Sequence, residues 1–369
     1  MRFSVDHTDL APALTLAARI VPSRSVRPVL SSVFLEARGD HLLLAATDME
    51  TTRVCTVPAQ VEETGSVAIP ARYLTELLRR IPGGQLACRS AAGGGLELSW
   101  LHSQFSMHGF DVQEYPPIPT FPASGGIRLP QGLLRHALQH TTFAAAQGDT
   151  ARALLTGVEL RFVAQGLFAL ATDGFQVASY ASDPSVVRPD HAVVVQASVL
   201  QELARTLSDT EDACEIAEDG KQILFRAGQT YMACRLLEGK YFAVLDLVPK
   251  QFSTVVRVQR SSLLEATQRV GVVSENDPPF ALLMSVSPDV VELSASAADV
   301  GEAREDLPGR VEGEALQMGF NGRQLAEGLQ RFSGAEVVVE ISGATTLARF
   351  SDPADGRLQF LQMPLQMPG

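Results

Sequence analysis

Short runs in which hydrophobic and polar residues alternate make up most of the chain, and stretches with helical spacing interrupt them. The first five residues, MRFSV, alternate and predict a strand. The stretch that follows has apolar residues at Leu10, Leu14, Leu16 and Ala17, which predicts a helix. Further alternating runs predict several strands before the next helical stretch. This order is typical of an α+β protein whose helices lie on one face of its sheets.

Six helices are predicted in all, two in each third of the chain. They cover about 7–20, 71–81, 130–142, 197–207, 260–273 and 321–331. In the first third, strands are predicted over 1–5, 29–37, 41–48, 51–57, 65–70, 85–90, 95–101 and 103–108. The order of strand, helix and strands therefore occurs twice in each third.

A short motif recurs at the spacing of a domain. Residues 42–48 read LLLAATD, and residues 167–173 read LFALATD, 125 positions later. A weaker copy, LSASAAD, stands at 293–299, a further 126 positions along. A period this long indicates repeated domains rather than the turns of a solenoid.

The repeat predicts three tandem domains of one kind. We place them at 1–123, 124–250 and 251–369, and the Pro/Gly-rich segment 115–126 forms the first link. A hydrophobic content of 46% and a charged content of 20% suit three packed cores and exclude a disordered chain.

The N-terminus, the apolar stretches and the cysteines indicate where the protein acts and whether it holds a metal. The N-terminus has no basic start followed by an apolar run, and no apolar stretch is long enough to span a bilayer, so we expect a cytoplasmic protein without membrane contact. The four cysteines are too far apart for a zinc site, and we expect reduced, buried thiols and no cofactor.

The charge distribution is uneven, although the net charge is −12. The six predicted helices contain ten arginines and five carboxylates, a net charge of +5, which leaves −17 for strands and loops. One interpretation is that arginine simply collects at solvated helix ends, where it compensates the helix dipole. The other is that the helices form a surface for nucleic acid.

Helix packing tests whether such a surface could enclose a duplex. Helices pack about 10 Å apart, so six in a ring leave a hole of only about 9 Å. Twelve leave a hole of about 28 Å, which is wide enough for a DNA duplex. Two copies of the chain could therefore encircle DNA, and a dimer is the simplest closed assembly. A trimer, with eighteen helices, would give a much wider hole.

Three segments, in this order and spacing, carry a family resemblance. They are ATDGF at 171–175, GKYFAVLDLVP at 239–249 and LQMPL at 361–365. With the three-unit layout they resemble the bacterial β sliding clamps, the processivity subunits of DNA polymerase III, over the whole chain. The resemblance implies the DNA clamp fold and a ring formed by a head-to-tail homodimer. It also implies duplex DNA, the replicative polymerase, the clamp loader and other clamp-binding-motif proteins as partners.

The resemblance further implies a peptide-binding pocket between the second and third units. By matching position and by their neighbourhood, its residues are Leu155, Thr172, Gly174, Phe175, Val177, Phe242, Leu247, Thr346, Leu361, Met363, Pro364 and Leu365. Independently, the apolar run at 241–247 stands where a polar linker is expected, and the tail alternates apolar residues as far as Met367. The alternative is that the linker and last strand pack inward.

Two departures from the family pattern make the predicted pocket more apolar. A basic pair usually follows Thr-Asp-Gly, and here Phe175 and Gln176 stand instead. The Pro-Asp-aromatic of the family is replaced at 242–244 by Phe-Ala-Val. The peptide preference therefore stays open.

The resemblance also assigns residues to the ring contact and to DNA. Phe105 and Met107 of one chain would meet Val272 and Val273 of the other. Arg24 and Arg152 match loop positions that face the hole. The predicted DNA-facing set comprises Arg19, Arg24, Arg72, Arg79, Arg80, Arg135, Arg152, Arg205, Arg260, Arg269, Arg323 and Arg331.

Catalytic and metal motifs are weak. His136 and His140 are four apart on a predicted helix, but no HExxH glutamate accompanies them, so a solvated helix face is favoured over a metal site. The triple glycine at 93–95 lacks the lysine of a phosphate loop and predicts a turn. Asp173 suits a hairpin turn and has no recurring base or nucleophile beside it. We therefore predict a DNA-encircling clamp rather than an enzyme.

Two other functions stay open at this point. The first is a peptide-binding repeat scaffold that does not encircle DNA, which a monomeric mass in solution would favour. The second is a hydrolase with a concealed site, which would lose turnover when Asp173 alone is replaced.

Overall fold

The computed structural model of the chain describes residues 1–123, 126–148, 150, 152–163, 166–182, 192–274 and 278–366. Within them, all six predicted helices are found. They are α1 His7–Ala18, α2 Ala71–Arg80, α3 Gln131–Thr141, α4 Ala197–Ala204, α5 Arg260–Gly271 and α6 Gly322–Leu329. The predicted ends lie up to three residues beyond the observed ones, because periodicity does not mark where caps stand. Asp6, for instance, accepts the Thr8 N–H through Oδ1 at 2.8 Å and so begins α1.

The strands of the described residues form three antiparallel sheets. The first has the order β5 (Gln60–Glu63), β1 (Arg2–Asp6), β7 (Gln85–Ser90), β8 (Leu96–Trp100), β9 (Ser103–Met107). The second has the order β10 (Ile127–Pro130), β15 (Ala213–Glu218), β16 (Gln222–Ala227), β17 (Thr230–Arg235), β4 (Thr51–Pro58), β3 (His41–Thr47), β2 (Ser32–Arg38), β6 (Gly65–Pro70). The third has the order β14 (Val193–Gln196), β11 (Gly157–Val163), β12 (Gly166–Thr172), β13 (Gln176–Ala181), β25 (Asp355–Gln362), β24 (Ala348–Asp352), β23 (Glu336–Ile341), β18 (Thr254–Gln259), β21 (Gly301–Gly313), β20 (Val290–Ala297), β19 (Ala281–Ser287), β22 (Leu316–Asn321).

The chain divides into two compact units rather than three. One comprises Met1–Gln131 and Asp212–Leu236, and the other comprises Gly132–Glu211 and Leu237–Gly369. The middle repeat contributes to both, because its strands continue the sheets of its neighbours. The domain boundaries predicted from the repeat stay a prediction, and the one at 123/124 borders on residues outside the described ranges.

Consecutive repeats are joined edge to edge by strands. At the first joint, β4 pairs with β17, and Thr51 lies opposite Cys234. At the second joint, β13 pairs with β25, and Val177 lies opposite Leu361. Each joint uses the third strand after the first helix of one repeat and the last strand of the next.

The first and the third repeat each have one strand of these two kinds with an unpaired edge. By position in the repeat, β21 corresponds to β4 and β13, and β9 corresponds to β17 and β25. Among the described residues, β9 pairs on one side only, with β8, and the first part of β21, up to Pro308, pairs only with β20. An edge of each type is therefore available to another chain.

The cysteines are buried as predicted. Cys55, Cys88, Cys214 and Cys234 are free thiols with at most 3% of their surface exposed. Burial raises the pKa of the Cys88 and Cys214 thiols to about 12, so almost no thiolate is present at neutral pH.

We expect none of the four thiols to react with an aromatic disulfide reagent in native buffer, and all four to react in denaturant. The absorbance of the released thiol measures both. Rapid labelling of a single cysteine in native buffer would contradict the burial of that side chain.

Among the described residues, no helix combines the length and the apolar character needed to cross a bilayer.

Candidate functional site

An apolar cluster lies at the second joint, where β12, β13 and β25 meet. Its buried members are Phe168, Leu170, Val177, Val194, Tyr241, Leu347 and Leu361. Half-buried apolar residues pack around them, namely Leu154, Ala181, Leu237, Phe242, Val244, Leu245 and Val248. The structure thus brings together three of the predicted pocket residues, Val177, Phe242 and Leu361.

Tyr241 fixes the segment between the second and third repeats against the strands. Its hydroxyl donates to the Gly157 carbonyl at 3.0 Å and accepts the Thr172 N–H at 3.1 Å. Only 5% of its surface is exposed, and burial raises the pKa of the phenol, so it stays a neutral donor. The segment after Tyr241 is therefore a packed part of the site rather than a free linker.

Replacing Tyr241 with phenylalanine leaves the Thr172 N–H and the Gly157 carbonyl without this partner. We expect the free energy of unfolding to fall by about 1–3 kcal/mol, the usual cost of unsatisfied buried polar groups. Chemical denaturation measures it. Val26→Ala is the control, because Val26 is fully exposed and its truncation should leave stability unchanged. Equal stability of both variants would show that the buried hydrogen bonds contribute little.

The hairpin turn between β12 and β13 forms one side of the cluster. Asp173 Oδ1 accepts the N–H groups of Phe175 at 2.8 Å and Gln176 at 2.9 Å, as its predicted turn role requires. Gly174 has a φ of +97°, which favours glycine. The turn leaves Phe175 66% exposed.

Gln176 has a different position from its neighbour. Only 4% of its surface is exposed, and its Nε2 donates to Asp173 Oδ2 at 3.2 Å. Gln324 of α6 donates to the same oxygen at 2.8 Å. Asp173 therefore serves as a hydrogen-bond acceptor that links β13 to α6.

Three exposed apolar side chains border the cluster. Phe175 is joined by Leu247, which is 71% exposed, and Met363, which is 40% exposed. Leu247 ends a one-turn 3-10 helix, Val244–Leu247, whose other apolar members pack on the cluster. The Met363 N–H donates to the Phe175 carbonyl at 2.7 Å, so the tail continues alongside the turn. Exposed apolar groups around a buried apolar floor suit the binding of another apolar chain.

The remaining predicted pocket residues lie on the same elements. Thr172 and Leu361 are buried in strands, and Leu365 donates its N–H to the Gly319 carbonyl at 2.8 Å, which holds Pro364 in place. Leu155 and Thr346 are half-buried and stand next in sequence to Leu154 and Leu347 of the cluster. Met367 lies outside the described residues.

Sequence reasoning missed part of the apolar floor. Leu154, Leu347 and Val194 were not predicted, although the first two adjoin predicted residues and all three stand in apolar runs. Periodicity marks such residues as buried without showing which cluster they join.

The first joint has an equivalent cluster that is closed. Tyr115 corresponds to Tyr241, and its hydroxyl donates to the Ala45 carbonyl at 3.0 Å. Val29 and Leu30, which precede β2 as Leu154 and Leu155 precede β11, are 1% and 5% exposed. Leu154 and Leu155, which are half-buried at the second joint, thus have buried counterparts at the first joint.

Eight of the twelve predicted DNA-facing arginines fall into two groups. Several form ion pairs with carboxylates of the same chain: Arg79 and Arg80 with Glu76, Arg205 with Glu202, Arg269 with Glu265 and Glu305, and Arg331 with Glu327. Exposed pairs of this kind are weak and can exchange for phosphate. Arg24, Arg72 and Arg152 are exposed and form no ion pair with another residue in the described ranges.

The other predicted arginines have more varied surroundings. Arg19 caps the C-terminus of α1, and the Arg323 guanidinium lies 3.8 Å from the centre of the Phe280 ring. Arg135 and Arg260 are half-buried, and Arg260 Nε donates to the Gly334 carbonyl at 2.9 Å. Arg260 is therefore held by a backbone carbonyl of its own chain rather than by a carboxylate.

The residues predicted for the ring contact lie at the open ends described above. Phe105 and Met107 are half-buried on the edge strand β9. Val272, at the C-terminus of α5, is 61% exposed, and Val273 is half-buried. Val272 lines a cavity of about 290 Å³ between α5 and α6, together with Thr267, Gln268, Gly271, Ser274, Phe280, Gly322, Arg323 and Ala326.

His136 and His140 do not converge on a common point. Their rings stack with centres 5.9 Å apart, His136 Nε2 lies 3.1 Å from Asp209 Oδ1, and His140 Nδ1 lies 2.6 Å from the His136 carbonyl oxygen. No group of three or more candidate metal ligands occurs within the described residues.

Three family models match the chain in order. The N-terminal domain of the DNA polymerase III beta subunit matches residues 1–119, the central domain 128–242 and the C-terminal domain 246–366. Together they cover the three predicted units.

Full-length relatives and structures agree with the family models. A beta sliding clamp of Synechococcus elongatus is 30% identical over 375 residues, and one of Staphylococcus aureus is 25% identical, with at least 99% of each chain covered. The sliding clamp of Bacillus subtilis superposes over both full chains with a TM-score of 0.94 at 23% identity. A sliding clamp of Pseudomonas aeruginosa, solved bound to griselimycin, does so with a TM-score of 0.92 at 26% identity.

Proposed function

The chain belongs to the DNA polymerase III beta subunit family, and from this we propose that it encircles duplex DNA as a head-to-tail homodimer and tethers the replicative polymerase for processive synthesis. The observation that carries this function is the use of one joint twice within the chain, with its two halves left open at β9 and β21. A second copy can supply each missing half, so two copies close a ring with heterologous contacts.

Twelve helices from two chains would line the hole. The arginines on and beside them would contact phosphate without reading bases, so the ring has no preferred register and can slide. Closure rather than affinity would keep it on DNA. The strands and loops carry the excess negative charge, which disfavours binding of DNA to the outside.

The apolar site at the second joint would take short segments of partner proteins. We propose that Phe175, Leu247 and Met363 cover the segment and that Val177 and Leu361 form the floor beneath it. The polymerase, the clamp loader and other clamp-binding-motif proteins would compete for this site. Tethering raises the effective concentration of the polymerase at the primer end.

The ring contact would be apolar at its centre. We propose that Phe105 and Met107 on β9 of one chain meet Val272 and Val273 of the other, beside the cavity between α5 and α6. Pairing of the open edges of β9 and β21 would continue the sheet from one chain to the next.

The family is non-catalytic, so the chain is a processivity factor and not an enzyme. We propose that it acts in the cytoplasm, where bacterial chromosomes are copied, and that it needs no cofactor of its own. The domain boundaries at 123/124 and 250/251 belong to this proposal and mark the repeats rather than the compact units.

Retention on circular DNA tests the proposed function. The protein is loaded onto nicked circular plasmid by a clamp loader with ATP, separated from free protein in moderate salt, and then treated with a restriction enzyme that cuts the plasmid once. We expect protein to stay on the circle and to leave after cutting. The control is the same plasmid without a site for that enzyme.

Two other results would count against encirclement. Retention that cutting does not change would indicate ordinary binding to the DNA surface. Absence of retention with a competent loader, together with a monomeric mass in solution, would favour a peptide-binding repeat scaffold that does not encircle DNA.

A further inference from the structure

Tyr73 and Val300 are two of the exposed apolar side chains that lie outside the peptide site and outside the predicted ring contact. Tyr73, in the first turn of α2, is 65% exposed, and Val300, in the turn between β20 and β21, is 67% exposed. Val300 directly precedes β21, and Tyr73 belongs to the repeat that ends in β9. Large exposed apolar groups at such positions indicate a contact that the single chain does not make.

The second joint shows what the equivalent positions do when two repeats meet. Gln324 is the third residue of α6, as Tyr73 is the third residue of α2. Asp173 and Asp299 are the last residues of the repeated motif in the second and the third repeat. At the second joint, Gln324 Nε2 donates to Asp173 Oδ2 at 2.8 Å. The third residue of the second helix therefore reaches the turn of the preceding repeat.

The helices support this correspondence. Leu74 and Leu78 of α2 are 1% exposed, and Leu325 and Leu329, at the same positions of α6, are fully buried. The two helices therefore present the same face to their cores. Tyr73 and Gln324 then point in the same direction relative to their own repeats.

We propose that Tyr73 of one chain packs on Val300 of the partner subunit and donates its hydroxyl to Asp299 of the partner subunit. This contact, which we call the seam, occurs twice in the ring and rests on the proposed function. It places a second apolar contact beside the one made by Phe105 and Met107.

The chemistry of the seam predicts how closure responds to salt. Two carboxylates near it are paired within the chain, Glu76 with Arg79 and Arg80, and Glu305 with Arg269 at 2.6 Å. Asp299, Glu302 and Arg72 are exposed. The β9 strand, SQFSM, has no charged side chain. The contact of Tyr73 with Val300 adds apolar area and a hydrogen bond, so its loss should weaken the dimer by a similar factor at low and at high salt.

Tyr73→Ser and Val300→Ser test the seam. Dimer dissociation constants of the full chain are measured by sedimentation at about 0.1 M and 1 M NaCl. Each change is expected to weaken the dimer by roughly ten-fold or more, as for loss of one buried apolar side chain. The dimer of the double variant should have about the same dissociation constant as the dimer of either single variant, because the two side chains contact each other. Val26→Ser, at a fully exposed valine, is the control and should change nothing.

Substitution of the two residues by a pair of opposite charges provides an independent test of the seam. Tyr73→Glu alone should weaken the dimer because the new carboxylate would face Asp299 of the partner subunit, and Val300→Lys added to it should restore part of the affinity, because glutamate and lysine would face each other. The part of the affinity that the charge pair restores should fall as salt is raised.

The outcomes separate the seam from the ring. A natural protein that is monomeric at micromolar concentration would overturn the proposed ring and the seam with it. A stable natural dimer that tolerates both serine variants, or a charge pair without mutual rescue, would overturn the seam alone.

Discussion

A variant that carries both Leu247→Ala and Met363→Ala is expected to bind a labelled peptide from the replicative polymerase at least 100-fold more weakly. Leu247 is 71% exposed and Met363 is 40% exposed, and both border the apolar cluster. Covering one such side chain contributes about 1.5–3 kcal/mol, which corresponds to roughly ten-fold or more in affinity for each. Fluorescence anisotropy measures the dissociation constant.

This prediction has a matched control and a contrary result. Val26→Ala removes an apolar group that is fully exposed elsewhere and should leave peptide affinity unchanged. The double variant should still dimerise and load onto DNA, because neither side chain lies at the open edges. Natural affinity in the double variant would move the peptide site away from the second joint.

Replacing Arg24, Arg72 and Arg152 with alanine is expected to weaken binding to duplex DNA and to reduce its dependence on salt. These side chains are exposed and form no ion pair with another described residue, so they are free to meet phosphate. Each phosphate contact that is lost should lower the slope of log affinity against log salt by about 0.9. Titrations at several salt concentrations give the slope directly.

The control removes arginines of the strands instead of the helices and loops. Arg89 is paired with Glu97, and Arg128 is paired with Glu215, in strands β7 and β10. Their replacement by alanine should leave the slope unchanged. An equal change of slope in both sets would mean that charge alone, and not its position, determines DNA binding.

The helices could be predicted from the sequence because their apolar spacing is local. Leu10 and Leu14 are buried in α1, and the Thr-Asp turn after β12 has the predicted hydrogen bonds. The joints could not be predicted in this way. Val177 and Leu361 are opposite each other across two repeats, and an edge strand shows no local sign of its partner.

Charged residues show a similar limit. The count of arginines on the helices indicated a basic surface, but the partner of Arg269 is Glu305, 36 residues away. Arg53 stands in an alternating strand and is fully buried, with Nη1 donating to the Leu16 carbonyl at 3.1 Å. Its role at the end of α1 depends on how helix and sheet pack, which alternation alone does not encode.

Gln176 shows where the candidate site differs from the expectation. The sequence places it beside the predicted pocket, where it replaces a basic residue of the family. The structure turns it inward to Asp173 and leaves Phe175 exposed. The side that a turn residue presents depends on the register of the hairpin, so this difference could not be read from composition.

The closed first joint determines how many partners a ring can hold. Val29 and Leu30 are buried at the first joint, whereas Leu154 and Leu155 are half-buried at the second, so the proposed peptide site would occur once in each chain. Two chains then provide two. When the polymerase occupies one site, a second partner protein could bind the other site of the same ring and reach the primer end after the polymerase dissociates. The ring would thus hold at most two such partners at a time, because two aliphatic side chains, Val29 and Leu30, are buried at the first joint of each chain.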